Sequence, residues 1–351
     1  MNETCTAPVI DVQGLSRRFG ALTAVDGVRF QVERGEIFGF LGPNGAGKTT
    51  TVRMLTGVLK PSGGTALIEG HDIRTESLQS RAHLGIVPEE ANVYVDLSLW
   101  NNVMLMAELH GVPRRRRIRE GERLLEAMGL ADRKRQKART LSKGLRQRLM
   151  LCGALVTGPE ILFLDEPTSG LDVQSARLIR RIVGERNRAG LTVFITTHNM
   201  DEAEEMCRRV AIINRGRIAA IDTPERLRGV VRSRQFTEVA FEGGAAEPGE
   251  LEALAGVSQV EVEERSAAAT GEAAEAAGKG AGAENTAGAG APPDQPARRY
   301  RLYAESPGEA AAEVVRLADS RGWRISHLCT RKPSLEEVFV HLTAETEEAQ
   351  R

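Results

Sequence analysis

The run Gly42-Pro43-Asn44-Gly45-Ala46-Gly47-Lys48-Thr49 satisfies the pattern G-x-x-x-x-G-K-[ST] at every position. An apolar run, Ile37-Phe38-Gly39-Phe40-Leu41, precedes it, and a helix-compatible run, Thr50-Thr51-Val52-Arg53-Met54-Leu55, follows it. Strand, glycine-rich loop and helix in that order form a cradle for phosphate. The glycines let backbone N–H groups close on phosphate oxygens where a Cβ would block the approach. The unpaired donors and the dipole of the helix N-terminus favour an anion there. Lys48 is expected at the β- and γ-phosphates, and the Thr49 hydroxyl at a Mg²⁺ ion. Thr50 joins Gly42 to Thr49 in the expected nucleotide-binding set. A nucleoside triphosphate site is therefore the first expectation, and what its hydrolysis drives must be read from the rest of the chain.

The 351 residues suffice for two domains or slightly more. Lys plus Arg (47) nearly cancels Asp plus Glu (48), so no global field points to nucleic acid or to an anionic membrane. Aromatics at 4% argue against a base-stacking surface. Cys5, Cys152, Cys207 and Cys329 show no C-x-x-C spacing and read as reduced thiols of a cytosolic protein. The opening MNETCTAPVIDVQG has neither a basic n-region nor an apolar h-region, so no signal peptide is expected. No apolar run reaches the ~18 residues needed to span a bilayer. If the protein works at a membrane, another chain supplies the membrane part.

Along the chain, Val9 to Val12, Val28 to Val32, Thr65 to Glu69 and Leu84 to Val87 read as short strands. Ser98 to Gly158 is rich in helix formers and reads as a helical segment inserted between strands. Strand patterns resume at Ile161 to Leu164, Thr192 to Ile195 and Val210 to Ile213, with helical sequence between them. Strands alternating with helices imply a mostly parallel sheet covered on both faces. Beyond Val230, strand-helix-strand, an Ala/Gly/Glu/Pro-rich stretch and strand-helix-strand suggest a small ferredoxin-like unit split by a flexible insertion. The basic run Arg114 to Arg117 is expected as a solvated helix start, with lipid headgroups or a partner loop as the alternative.

Two further motifs bear on the chemistry. Ile161-Leu162-Phe163-Leu164-Asp165-Glu166 is a buried-strand pattern ending in two carboxylates. It would deliver Asp165 to the metal and Glu166 to an attacking water. Thr196-Thr197-His198 follows another strand, and a His at that place can contact the γ-phosphate.

Together these motifs resemble the nucleotide-binding subunit of an ATP-binding-cassette (ABC) transporter, over roughly residues 9 to 228. Gly42 to Thr49 resembles Walker A, Ile161 to Glu166 Walker B with its catalytic glutamate, Ser169-Gly170-Leu171-Asp172 the D-loop, and His198 the switch histidine. Phe19 stands where the family places an aromatic on adenine, with core packing as the alternative. The signature usually written LSGGQ reads Leu141-Ser142-Lys143-Gly144-Leu145, a form resembling drug- and antibiotic-export subunits. Ser142, Lys143 and Gly144 are expected to bind the nucleotide of a facing cassette. Where the family has a glutamine after Leu84-Gly85-Ile86-Val87-Pro88, this chain has Glu89. A carboxylate there would ligate Mg²⁺ or orient water, and would repel the γ-phosphate if the metal were absent. Arg331 to Thr343 resembles the C-terminal motif of daunorubicin-resistance-type exporter subunits.

The resemblance implies an α/β fold: a P-loop NTPase (RecA-like) core, an N-terminal antiparallel β subdomain, an inserted helical subdomain and a small α+β C-terminal accessory domain. The expected boundaries are 1–230 for the ATP-binding domain, with about 90–158 helical. The accessory domain is expected at 231–265 and 298–344, and a disordered linker at 266–297. It implies ATP and Mg²⁺ as cofactors, a separate integral membrane permease, and a second copy or a paralogous cassette, without nucleic acid. The place implied is cytoplasmic, peripheral on the inner face of the cell membrane. The function implied is ATP hydrolysis coupled to export of a drug, lipid or other hydrophobic compound. Two alternatives stay open: a soluble non-transport ABC ATPase, and an ATP-binding regulatory module that hydrolyses weakly because of Glu89.

Overall fold

The computed structural model describes residues 7–90, 92–230, 236–242, 246–264, 298–304, 306–331 and 334–340. The expected linker at 266–297, Cys5 and positions 341–344 lie outside them. The described residues fall into two compact units, one running to Leu227 and taking in Phe339 and Val340, the other from Arg228 to Val338.

The first unit opens with β1 (Ile10–Phe19), β2 (Leu22–Val32), β3 (Ile37–Leu41), α1 (Lys48–Leu55), β4 (Gly63–Ile68), β5 (His71–Asp72), α2 (Ser77–Ala82) and β6 (Leu84–Val87). The helices α3 (Leu99–Leu109), α4 (Arg114–Ala127) and α5 (Lys143–Leu155) follow. Then come β7 (Ile161–Asp165), α6 (Val173–Arg188), β8 (Thr192–Thr197), α7 (Met200–Met206), β9 (Arg209–Asn214) and β10 (Arg217–Asp222), and the chain leaves this unit within α8 (Pro224–Val230).

Six of these strands form one sheet in the order β10-β9-β3-β8-β7-β6. It is parallel from β9 to β6, and β10 returns antiparallel on the edge. β3, β7 and β8 are buried along their whole length. That is why their sequences read as continuous apolar runs rather than as alternation. A second sheet, β2-β1-β4-β5, is antiparallel. Phe30 of β2 stacks on Phe38 of β3 with centroids 5.3 Å apart, and Phe194 of β8 lies 5.1 Å from Phe163 of β7. These rings join the two sheets in one core with Val12, Leu15, Val25, Ile68 and Ile213. In the inserted helices, Val103, Ala107, Leu124, Leu125, Met128 and Leu149 are buried. Gly121 lets α4 close on α3, since a Cβ there would lie 2.5 Å from Met104 Cε.

The second unit contains β11 (Phe236–Phe241), α9 (Pro248–Glu252), β12 (Val257–Glu264), β13 (Arg298–Ala304), α10 (Pro307–Arg321) and β14 (Ile325–Arg331). Its sheet is antiparallel in the order β12-β13-β11-β14. With its β-α-β-β-α-β succession this is the ferredoxin-like arrangement. Val239, Phe241, Tyr300, Leu302, Val314 and Ala318 form a core of its own. The Tyr300 hydroxyl donates to Ala246 O at 2.6 Å, so the ring is buried without an unsatisfied polar group.

Candidate nucleotide site

Because β3, β7 and β8 are parallel neighbours, their C-terminal ends share one edge of the sheet, where ligands bind in open α/β folds. The register pairs Leu41 with Thr197 and Asp165 with Thr196. The chain leaves β3 into the loop from Gly42, β7 into Glu166 and β8 into His198. A cavity of ≈ 350 Å³ opens at this edge, lined by Pro43, Asn44, Gly45, Gly47, Lys48, Thr49, Thr50, Glu89, Glu166, Ser169, His198 and Ala24.

Gly47 closes the loop with φ +108°, and a Cβ there would lie 2.6 Å from Ala24 O. Only glycine fits both the torsion and the space. Ala46 is different: its side chain belongs to the hydrophobic core, so its contribution to a ligand is limited to backbone. Lys48 Nζ donates to Gly42 O at 2.7 Å and Pro43 O at 3.2 Å, and lies 3.2 Å from Glu166 Oε1. Glu166 Oε1 is buried and meets Lys48 as an ion pair rather than as a hydrogen bond. Glu166 Oε2 meets His198 Nδ1 at 2.7 Å. Behind them, Asp165 Oδ1 accepts from the Thr196 hydroxyl and lies 3.4 Å from Thr49 Oγ1.

The donors near Asp165 are all oxygen, which suits a hard cation such as Mg²⁺. No group of three or more His, Cys, Asp or Glu side chains able to hold a metal occurs among the described residues. An ion here would have few protein ligands, as fits Mg²⁺ shared with phosphate oxygens and water. Glu89 is exposed and also borders a second cavity with Thr49, Arg53, Pro88 and Asp165.

The remaining expected residues lie apart from this cavity. Ser142 caps α5, accepting from Leu145 N at 3.4 Å. Gly144 faces α6 so closely that a Cβ would stand 2.7 Å from Ser175 Oγ. Asp172 caps α6, accepting from Ser175 N at 2.8 Å and Ser175 Oγ at 2.6 Å. The two Ser175 donors hold the Asp172 carboxyl below its ordinary pKa. Arg148 Nη2 donates to Ser175 Oγ at 2.7 Å, which ties α5 to the start of α6. Phe19, 45% exposed at the end of β1, carries the Arg17 guanidinium 4.6 Å from its ring centroid. Ala24, Thr168 and Glu202 belong to the neighbourhood of the site but stood out in no sequence pattern. Their signal is the strand register and the loop contacts, which pair residues some thirty positions apart.

The family model described as "ABC transporter" matches residues 25–169. A daunorubicin resistance ATP-binding protein of Streptomyces coeruleorubidus is 33% identical over 336 residues, covering 96% of each chain. The chain belongs to the ATP-binding-cassette family. A fluoroquinolones export ATP-binding protein of Mycobacterium tuberculosis is 40% identical over 247 residues, 69% of this chain and 80% of its own. Among solved structures, an ATP-binding subunit of an ABC transporter superposes with a TM-score of 0.60 at 28% identity, covering 63% of this chain and 92% of that one. The cassette is thus an ABC ATPase with a P-loop NTPase core, and the drug-resistance relative matches it through the second unit as well. No helix among the described residues is long and apolar enough to cross a membrane.

Proposed function

We propose that this cassette hydrolyses ATP to drive export through a permease carried on another chain. The observation that carries the reading is the single cavity where the loop from Gly42, Glu166 and His198 meet. Loop N–H groups and Lys48 bind the β- and γ-phosphates. Thr49, Asp165 and Glu89 would hold Mg²⁺, which when bound neutralises charge on those phosphates. Glu166 takes the proton of the water that attacks the γ-phosphorus as the bond to the bridging oxygen breaks, leaving ADP and phosphate. His198 donates to a γ-phosphate oxygen and exchanges its bond to Glu166 for that contact.

Ser142, Lys143 and Gly144 complete the site of a facing cassette, a second copy or a paralogue, arranged head to tail. Gly144 packs against Ser175 and Asp172, and none of Ser142, Lys143 and Gly144 lines the cavity of its own chain, which supports this. Closure on two ATP and reopening after hydrolysis supply the force, because only the triphosphate bridges both halves. The place is the cytoplasmic face of the membrane, without nucleic acid. The cargo is a hydrophobic compound, since relatives are named for daunorubicin and fluoroquinolones. The ferredoxin-like unit assists dimerisation or its control.

One observation favours a second reading. Glu89 presents a carboxylate to the same cavity as Lys48 and Glu166, which would slow turnover and make the subunit a regulated one. ATP turnover of the wild type and of Glu166→Gln and Glu89→Gln separates the two. Wild-type hydrolysis lost by ~10²-fold or more in Glu166→Gln is expected. A large acceleration in Glu89→Gln would favour the second reading. Recovery of the chain from solubilised membranes without any integral membrane protein would sink the permease.

A further inference from the structure

Glu166 and His198 sit on two loops, and the structure joins these loops twice. In front, facing the cavity, Glu166 Oε2 and His198 Nδ1 are 2.7 Å apart. Behind, the Thr168 hydroxyl donates to Glu202 Oε1 at 2.8 Å. Thr168 lies just beyond Glu166, and Glu202 lies in the first turn of α7, four residues beyond His198. We propose that the Thr168–Glu202 hydrogen bond positions the two catalytic loops, holding Glu166 and His198 in register when their own contact opens for ATP. Thr168 and Glu202 are positioning residues; neither lines the cavity.

The geometry supports a permanent bond at the back and a temporary one at the front. The front pair borders the cavity, and His198 is half exposed, so an incoming phosphate competes directly for both partners. Glu202 is 1% exposed and no ligand reaches it. A long acidic side chain is rarely buried unless a specific partner holds it. The helix is seated to present this one: Asn199 Oδ1 accepts from Glu202 N at 3.1 Å, and Asn199 N donates to Thr197 Oγ1 at 3.0 Å. On the other side, Leu171 N donates to Thr168 O at 3.2 Å and Ser169 N to Glu166 O at 3.2 Å, so the turn after Glu166 moves as one piece with Thr168. Burial, with Glu166 nearby, raises the Glu202 carboxyl above its ordinary pKa against the pull of Thr168, Thr197 and Arg180. Either protonation state still offers Oε1 as an acceptor.

This inference rests on the roles given to Glu166 and His198 above, and its test separates the two. In full-length protein, Thr168→Val and Glu202→Ala should each lower kcat by about tenfold with KM for ATP within about twofold, since nucleotide binding is untouched. Glu202→Gln and Thr168→Ser, which keep the acceptor and the donor, should restore most of the rate. The double variant Thr168→Val/Glu202→Ala should be no worse than either single one. KM rising in parallel, additive losses, or no rescue by the conservative variants would each overturn the proposal. Hydrogen exchange supplies a readout independent of turnover. Amides of 166–171 and 198–202 should lose protection together in Thr168→Val, and loss at one segment alone would overturn the coupling. If instead Glu166→Gln kept full turnover, the catalytic assignment would fail while the exchange result still judged the link.

Discussion

Glu166 adopts φ +49°, the left-handed region, as a residue with a Cβ. Such a conformation costs on the order of 1–3 kcal/mol and persists only where neighbours over-determine it. Here Glu166 N donates to Thr196 O at 3.0 Å and approaches Thr196 Oγ1 at 3.1 Å. The twist turns the side chain back toward Lys48 and His198, so strand β8 sets the aim of a carboxylate that β7 delivers. Asp165 and Glu166 were legible as a pair because the apolar run before them is contiguous. The torsion was not, because it depends on Thr196 in another strand. Glu202 was equally silent, being one acid among several in Asp201-Glu202-Ala203-Glu204-Glu205. Its raised pKa gives a prediction with a fixed sign. Stability from this group is fully present below the ordinary carboxyl value of 4.5 and is lost as pH rises through the raised folded value. The melting temperature of the wild type relative to Glu202→Gln should therefore fall as pH rises from 4.5 upward. A rising difference would show the folded carboxyl to be favoured as the anion.

At the scale of elements, the caps carry more than helix ends. Ser98, Ser142, Asp172 and Asn199 each accept a backbone N–H at the start of a helix. Asp172 also receives the hydroxyl of Ser175, which Arg148 of α5 contacts in turn. Asp172→Ala should lower the stability through the lost cap. Chemical denaturation followed by far-UV circular dichroism measures it. An unchanged midpoint would mean that water replaces the carboxylate without loss. Strands were legible where they are buried on both faces, as in β3, β7 and β8. They were legible only in part where irregular. β1 runs from Ile10 to Phe19, well past the expected Val12, because register shifts after Val12, Leu15 and Arg17 break its alternation. β10 carried no usable signal, since an edge strand with one neighbour is half-exposed throughout.

Among the described residues each unit has a hydrophobic core made from its own side chains, and damage to one is expected to spare the other. Tyr300→Ala removes a ring with no exposed surface from the core of the second unit, which should cost about 3–5 kcal/mol there. Trp323, edge-on to Phe241 at 5.3 Å, reports on that unit by fluorescence once Trp100 is replaced by Phe. In that background Tyr300→Ala should lower the denaturant midpoint of the Trp323 signal while ATP binding by the cassette persists. Loss of ATP binding in step with the Trp323 transition would show one cooperative unit.

The sequence by itself determined the α/β class, the phosphate loop and the family, because these reside in contiguous residues: a loop with its strand and helix, a buried strand ending in carboxylates. Local chemistry suffices where the interacting groups are neighbours along the chain. Tertiary structure decided how those segments meet. Parallel pairing of β3, β8 and β7 brings Gly42, Glu166 and His198 to one edge, a fact of strand order that no single segment encodes. Packing placed Gly144 against α6, and left it and Ser142 outside that cavity. It also set the half-buried Thr168 against the buried Glu202, thirty-four positions apart, a hydrogen bond that forms only when the fold brings the two loops together.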